Sequence, residues 1–168
     1  MKLLSALIVS CMMALSVPVN AQYQEAIGLR GGLPSGLSYK KFTGDASAIE
    51  GILHFNGGIG LTGLYLIHAQ AFDVENLSWY YGGGFHVHAY GDRDRYGPYG
   101  HRWRTGYYYG GRGSFDLGIT GMLGIEYKIP PIPFVIGLDI SPLLGVNSNG
   151  GTYFGTGSSL SIRWTFRE

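Results

Sequence analysis

Histidine carries the first chemistry worth testing in this chain. His86 and His88 stand two residues apart, so on an extended strand both point to the same side. Asp116 opens a later extended segment, two residues after Ser114. A serine, a histidine and an aspartate are the parts of a hydrolase or acyltransferase. No nucleophile motif surrounds Ser114, however, so no catalytic residue is assigned. A His-x-His pair also suits a metal, but a closed site needs further ligands at fixed spacing. None is visible, so neither a metal nor a cofactor is expected.

A second chemistry lies in the segment Gly91–Gly113, GDRDRYGPYGHRWRTGYYYGGRG. Arg93, Arg95, Arg102, Arg104 and Arg112 outnumber Asp92 and Asp94, and Trp103, Tyr107, Tyr108 and Tyr109 stand among them. Guanidinium groups pair with phosphate or carboxylate, and aromatic rings stack on sugars or partner side chains. These nine arginine and aromatic residues are the candidate recognition surface. Lipopolysaccharide phosphates, a glycan or a partner protein would suit them, and nucleic acid is not expected.

Both sets of residues need a frame. From Phe115 to Ile129 the sequence FDLGITGMLGIEYKI alternates strictly. Phe115, Leu117, Ile119, Leu123, Ile125 and Tyr127 fall on one side, with Asp116, Thr120, Glu126 and Lys128 on the other. A period of two over fifteen residues is a strand, not a helix. The pattern recurs in 77–90, 134–147 and 154–167, and less cleanly in 59–72, where Leu64 and Leu66 blur the polar side. Segments 23–33, 36–42 and 47–56 complete eight strands. An even strand number, short turns and one long polar loop predict an up-and-down barrel.

The polar sides then define an interior. Arg30, Lys40, Glu50, His54, His68, His86, His88, Asp116, Glu126, Asp139 and Arg163 all fall on it. An eight-stranded barrel is only wide enough to be filled by side chains, and buried charges are costly unless paired. A salt-bridged plug is therefore expected. Counting back from the turns pairs Lys40 with Glu50 and Asp139 with Arg163, and sets Arg30 opposite Lys40.

Which side faces water decides the environment. The polar sides are rich in glycine and poor in lysine and glutamate, unlike a solvated surface. Trp79, Tyr127, Trp164 and Phe166 stand near strand ends, where a membrane barrel places its aromatic girdles. The strands reach the roughly 9–11 residues that a tilted span requires. An all-β, eight-stranded antiparallel transmembrane barrel follows.

The first twenty-one residues read as an address. Lys2, the apolar run Leu3–Leu15 and the small residues of Val19-Asn20-Ala21 predict a cleaved secretory signal over 1–21. The barrel then occupies 22–168. The chain's single cysteine, Cys11, leaves with the signal, so the mature protein has no disulfide and no thiol nucleophile. Composition agrees: 29 glycines and 24 aromatics (13 Tyr, 8 Phe, 3 Trp) exclude a disordered polar chain and a helical bundle.

GLRGGLPSGLSYK, NLSWYYGGG and the terminal SLSIRWTFRE, behind such a signal, resemble the small eight-stranded outer-membrane barrels of the OmpA/OmpX-like superfamily, in their Bacteroidota form. The resemblance implies a monomer in the bacterial outer membrane of a Gram-negative cell envelope, with both termini periplasmic. It also implies contact with outer-membrane lipid and with the barrel-assembly machinery. The chain departs from the common aromatic ending, since Arg167-Glu168 follow Phe166. Parity places the 91–113 loop outside and Pro130–Pro133 in the periplasm. The expected role is structural or surface-interacting and non-enzymatic. A ligand-binding adhesin using the 91–113 loop and a lipid-modifying enzyme of the outer leaflet stand as alternatives.

Overall fold

The computed structural model describes residues 22–55, 58–90, 115–148 and 151–167. The 1–21 segment, the 91–113 loop with its arginines and aromatics, and Ser114 lie outside the described residues. Eight strands run in chain order: β1 Glu25–Gly32, β2 Gly36–Phe42, β3 Ser47–His54, β4 Gly58–Gln70, β5 Leu77–Tyr90, β6 Phe115–Ile129, β7 Phe134–Asn147 and β8 Thr152–Arg167. Each pairs antiparallel with its neighbours in sequence, and β8 returns to β1, closing the barrel. The all-β, up-and-down architecture read from alternation is the observed one.

Strand bounds differ from the expected ones where local chemistry intervenes. β4 stops at Gln70, because Phe72 and Asp73 take left-handed conformations, with φ of 53° at both, and turn the chain out of the sheet. β8 begins earlier than expected, at Thr152, since Val146 offers it a partner across the hairpin.

The ladder carries a fixed stagger. Ala26 leads through Lys40, Glu50, Leu64, Gly84, Thr120 and Leu143 to Gly155. Ser159 faces Gly32 on β1, so Gly155, four residues earlier in β8, stands level with a point four residues beyond Gly32. One circuit therefore climbs ten residues. For eight strands that stagger tilts each by about 40°, so a residue climbs about 2.5 Å along the axis and each strand step adds about one and a quarter residues.

The two rims differ in shape. At the lower rim, which holds Gln22 and the end of β8, all eight strands finish at similar height. At the upper rim β1, β2 and β3, with only 8, 7 and 8 residues, end about five residues below β5 to β8. That is a step on the order of 13 Å at this tilt.

The barrel is apolar outside and polar within. Ile27, Leu29, Leu61, Phe85, Leu138, Ile140, Leu160 and Trp164 are among the large apolar side chains exposed on the outer face. The inward apolar residues gather in two places. Ile52, Leu64, Leu66, Tyr80 and Met122 pack at mid-lumen, so the two leucines that blurred the polar side of β4 are its apolar filling. Tyr23, Ala26 and Val135, with Phe42 against them, floor the lumen at the lower rim.

Candidate functional site: a polar lumen in two layers

All eleven residues assigned to the interior lie on the inner face, none more than 8% exposed. The period-two pleat puts them there, and the stagger decides which of them meet. They separate into a charged layer in the lower half and a histidine layer near the upper rim.

The charged layer balances three cations against three carboxylates. Glu50 accepts from Arg163 Nη2 at 2.8 Å and Arg30 Nη1 at 3.3 Å, and faces Lys40 Nζ at 3.4 Å. Glu126 takes Lys40 Nζ at 2.9 Å, with Arg163 Nη1 at 3.5 Å. Asp139 accepts from Arg30 Nη2 at 2.6 Å and from the Tyr80 hydroxyl at 2.9 Å. Each of these charged side chains is at most 2% exposed.

Neutral groups complete the layer. Arg163 Nε donates to Ser38 Oγ at 3.0 Å. His68 Nε2 lies 3.5 Å from Glu126 and from Lys40 Nζ, and its ring stacks on Tyr80 at 5.5 Å. Tyr23 donates to Glu126 at 3.0 Å. Burial and the facing carboxylate hold its hydroxyl well above the usual tyrosine range, which keeps it a donor. Gly124 makes room for the Tyr80 ring, into which a Cβ would run.

The register corrects two of the three expected relations. Lys40 does face Glu50. Asp139 faces Ser159, and Arg163 faces Val135, four residues down β7, so these two do not pair. The hairpin count went astray because β8 starts at Thr152, which moves the turn. Nor does Arg30 oppose Lys40: Arg30 faces Gly36 and Lys40 faces Ala26. The two cations sit at different heights and share Glu50 between them.

If Asp139 holds Arg30 as this geometry implies, Asp139→Asn costs about 2 kcal/mol, the loss of a charged hydrogen bond in the interior. Chemical unfolding of purified barrel in detergent micelles measures it. An unchanged midpoint would remove Asp139 from the network.

The histidine layer sits above. His86 Nδ1 lies 2.7 Å from Thr120 Oγ1, and its Nε2 lies 2.9 Å from the Tyr153 hydroxyl and 3.9 Å from Asp116. Asp116 accepts from the Tyr90 hydroxyl. His54 Nε2 meets Thr62 Oγ1 at 3.1 Å, and the His54 and His88 rings lie 5.3 Å apart, tilted by 36°. Gly60 leaves the space for both, since a Cβ there would run into them.

This layer brings His86 Nε2 within 3.9 Å of Asp116 and sets His88 opposite the same aspartate across β5 and β6, with its ring against His54 and Tyr90. Among the described residues no group of three or more His, Cys, Asp or Glu side chains is arranged to hold a metal ion.

Four residues of the site escaped the sequence reading. Tyr80 and Tyr90 stand in plain phase with His86 and His88 on the inner side of β5. Tyr153 continues the inward phase of Gly155, Gly157 and Ser159, so extending the alternation back two residues would have found it. Tyr23 carried no such signal. A β-bulge between Glu25 and Ala26 shifts the phase, so Tyr23, Glu25 and Ala26 are all buried.

Comparison with models of known protein families, with curated proteins and with solved structures finds no match. The fold and the lumen therefore have to carry the functional reading by themselves.

Proposed function

We propose that the chain is an integral β-barrel of the bacterial outer membrane, non-enzymatic, whose filled lumen stabilises a scaffold displayed to the outside. One observation carries this reading, the inverted distribution of polarity. The six charged side chains of the lower layer and Asp116 above them are sealed inside, while isoleucine, leucine, phenylalanine and tryptophan side chains cover the outer wall. In water such a wall exceeds by far the apolar patches that soluble proteins tolerate; against lipid it is the favourable surface.

Wall height supports the same reading along β4 to β8, whereas β1, β2 and β3, with 8, 7 and 8 residues, fall short of the roughly 9–11 expected of a span. At the observed stagger β5 to β8 rise on the order of 35 Å, enough for an apolar band of about 25 Å with strand ends beyond it. Trp79, Tyr127, Trp164 and Phe166 all sit toward the lower rim, where one aromatic girdle belongs. Tyr39 reaches toward the same rim, its ring stacked on Phe166 at 6.4 Å.

Two measurements test the proposal. Folded barrel is expected to migrate differently in gel electrophoresis with and without boiling, and to fractionate with outer membranes. In planar bilayers it is expected to add no steady conductance, because the charged layer, Tyr80 and the mid-lumen cluster fill the bore. A chain that purifies from the aqueous fraction without detergent, or one that opens a stable channel, would contradict this reading.

A further inference from the structure

The lower mouth is crossed by the residues that precede β1. In the wall β1 lies between β2 and β8, yet Gln22 meets the opposite side of the barrel. Its Nε2 donates to Ser78 Oγ on β5 at 3.1 Å, and its carbonyl accepts from Lys128 Nζ on β6 at 2.9 Å. Tyr23 follows, 1% exposed, with its ring edge-on to Phe42 at 5.0 Å and its hydroxyl on Glu126. Gln24 O accepts from Phe42 N–H at 2.9 Å. Residues 22–24 thus form a strap beneath the charged layer, turned inward by the bulge at Glu25 and Ala26.

Charge in the layer above is already matched, three cations to three carboxylates. Glu25, the first acid of β1, is held by Lys41 at 3.0 Å. A protonated α-amine on Gln22 would stand within about 6.5 Å of Lys128 Nζ, because that ammonium is tied to the carbonyl of the same residue. Gln22 is half-buried, and two ammonium groups so close repel one another. The geometry suits a first residue whose carbonyl accepts and whose nitrogen carries no charge.

We infer that Gln22 is a modification site, cyclised to pyroglutamate once removal of 1–21 frees its amine, and that the neutral ring caps the lower mouth against Lys128 and Ser78. The inference rests on the secretory and membrane reading above, which supplies that cleavage. Amine and amide belong to one residue, so no further reactant is needed. The α-nitrogen attacks Cδ and a bond forms between them. The Cδ–Nε2 bond breaks, and Nε2 leaves as ammonia with a proton given up by the amine. The ring keeps the main-chain carbonyl for Lys128 and an amide N–H for Ser78 Oγ, and the terminal charge is gone.

The first test weighs the mature barrel purified from the outer membranes of cells that make the full chain. Its mass is expected to be one ammonia below that of a chain starting at Gln22, with an N-terminus that pyroglutamyl peptidase opens after unfolding. Gln22→Asn, whose side chain is one carbon short of that ring, should keep its ammonia and a free amine. A mature barrel with the full mass of Gln22 would overturn the modification and leave the membrane reading standing. A mature chain beginning at another residue would overturn Gln22 as the site. A chain that retains residues 1–21 would overturn the inference together with the expected signal.

The second test addresses the cap. The unfolding midpoint in micelles is compared between that purified barrel and the same mature chain refolded with Gln22 uncyclised. The cyclised form should be the more stable at about pH 6, and the two should converge above about pH 9, where a free α-amine is neutral. Equal midpoints at the lower pH would overturn the cap.

Discussion

Glu50→Gln is expected to remove about 3–5 kcal/mol of stability, the cost of breaking a fully buried ion pair from one side. Glu50 is the one carboxylate in contact with all three cations of the lower lumen, Arg30, Lys40 and Arg163. Glutamine keeps the shape and can accept one hydrogen bond, but it leaves three cations against two carboxylates in a layer sealed from bulk solvent. The unfolding midpoint in micelles should fall well below that of Asp139→Asn. Adding Lys40→Met restores the charge balance, so the double variant should recover more than half of the loss. A double-mutant cycle reports that coupling directly. A Glu50→Gln barrel as stable as the parent would mean that the lumen is not held by its charges.

Leu160→Arg separates a barrel in lipid from one in water. Leu160 stands mid-strand on the outer face of β8, 59% exposed, between Gly31 of β1 and Leu138 of β7. Facing hydrocarbon near the middle of a bilayer, arginine there costs about 2–4 kcal/mol. Facing water, the same exposed substitution changes stability by no more than about 0.5 kcal/mol. Equilibrium unfolding from phospholipid vesicles measures the difference. A neutral result would count against the membrane reading whatever the gel shift shows.

The strands themselves were legible because side-chain period and sheet period are the same number. Asp116, Thr120 and Glu126 turn inward for no reason beyond being an even number of residues apart. Height was not legible in this way. It depends on where each turn closes, and a difference of four residues in the β7–β8 register sets Arg163 opposite Val135 instead of Asp139. The bulge at Glu25 and Ala26 hid Tyr23 for a related reason, since it breaks the parity on which the reading relied. Leu64 and Leu66 looked like noise on a polar side until Ile52, Tyr80 and Met122 gathered around them. The stepped rim needed both strand lengths and stagger, and only the first can be counted along the chain.

The pairs of the charged layer join residues far apart in sequence: Arg163 and Glu50 are 113 residues apart, and Arg30 and Asp139 are 109. Within the β2–β3 hairpin Lys40 meets Glu50, but no run of strands short of the whole brings all six charges together. A half-built barrel would hold Arg30, Lys40 and Glu50 along one free margin and Arg163 along the other. Bare charges of that kind in an apolar medium make every partial sheet unfavourable until the last strand docks on the first. The arrangement thus works as a closure checkpoint, in which the chain gains its full electrostatic reward only when the cylinder is complete. Assembly is accordingly expected to be all-or-none, and, on the proposed membrane reading, truncated forms lacking β8 should fail to persist in phospholipid vesicles.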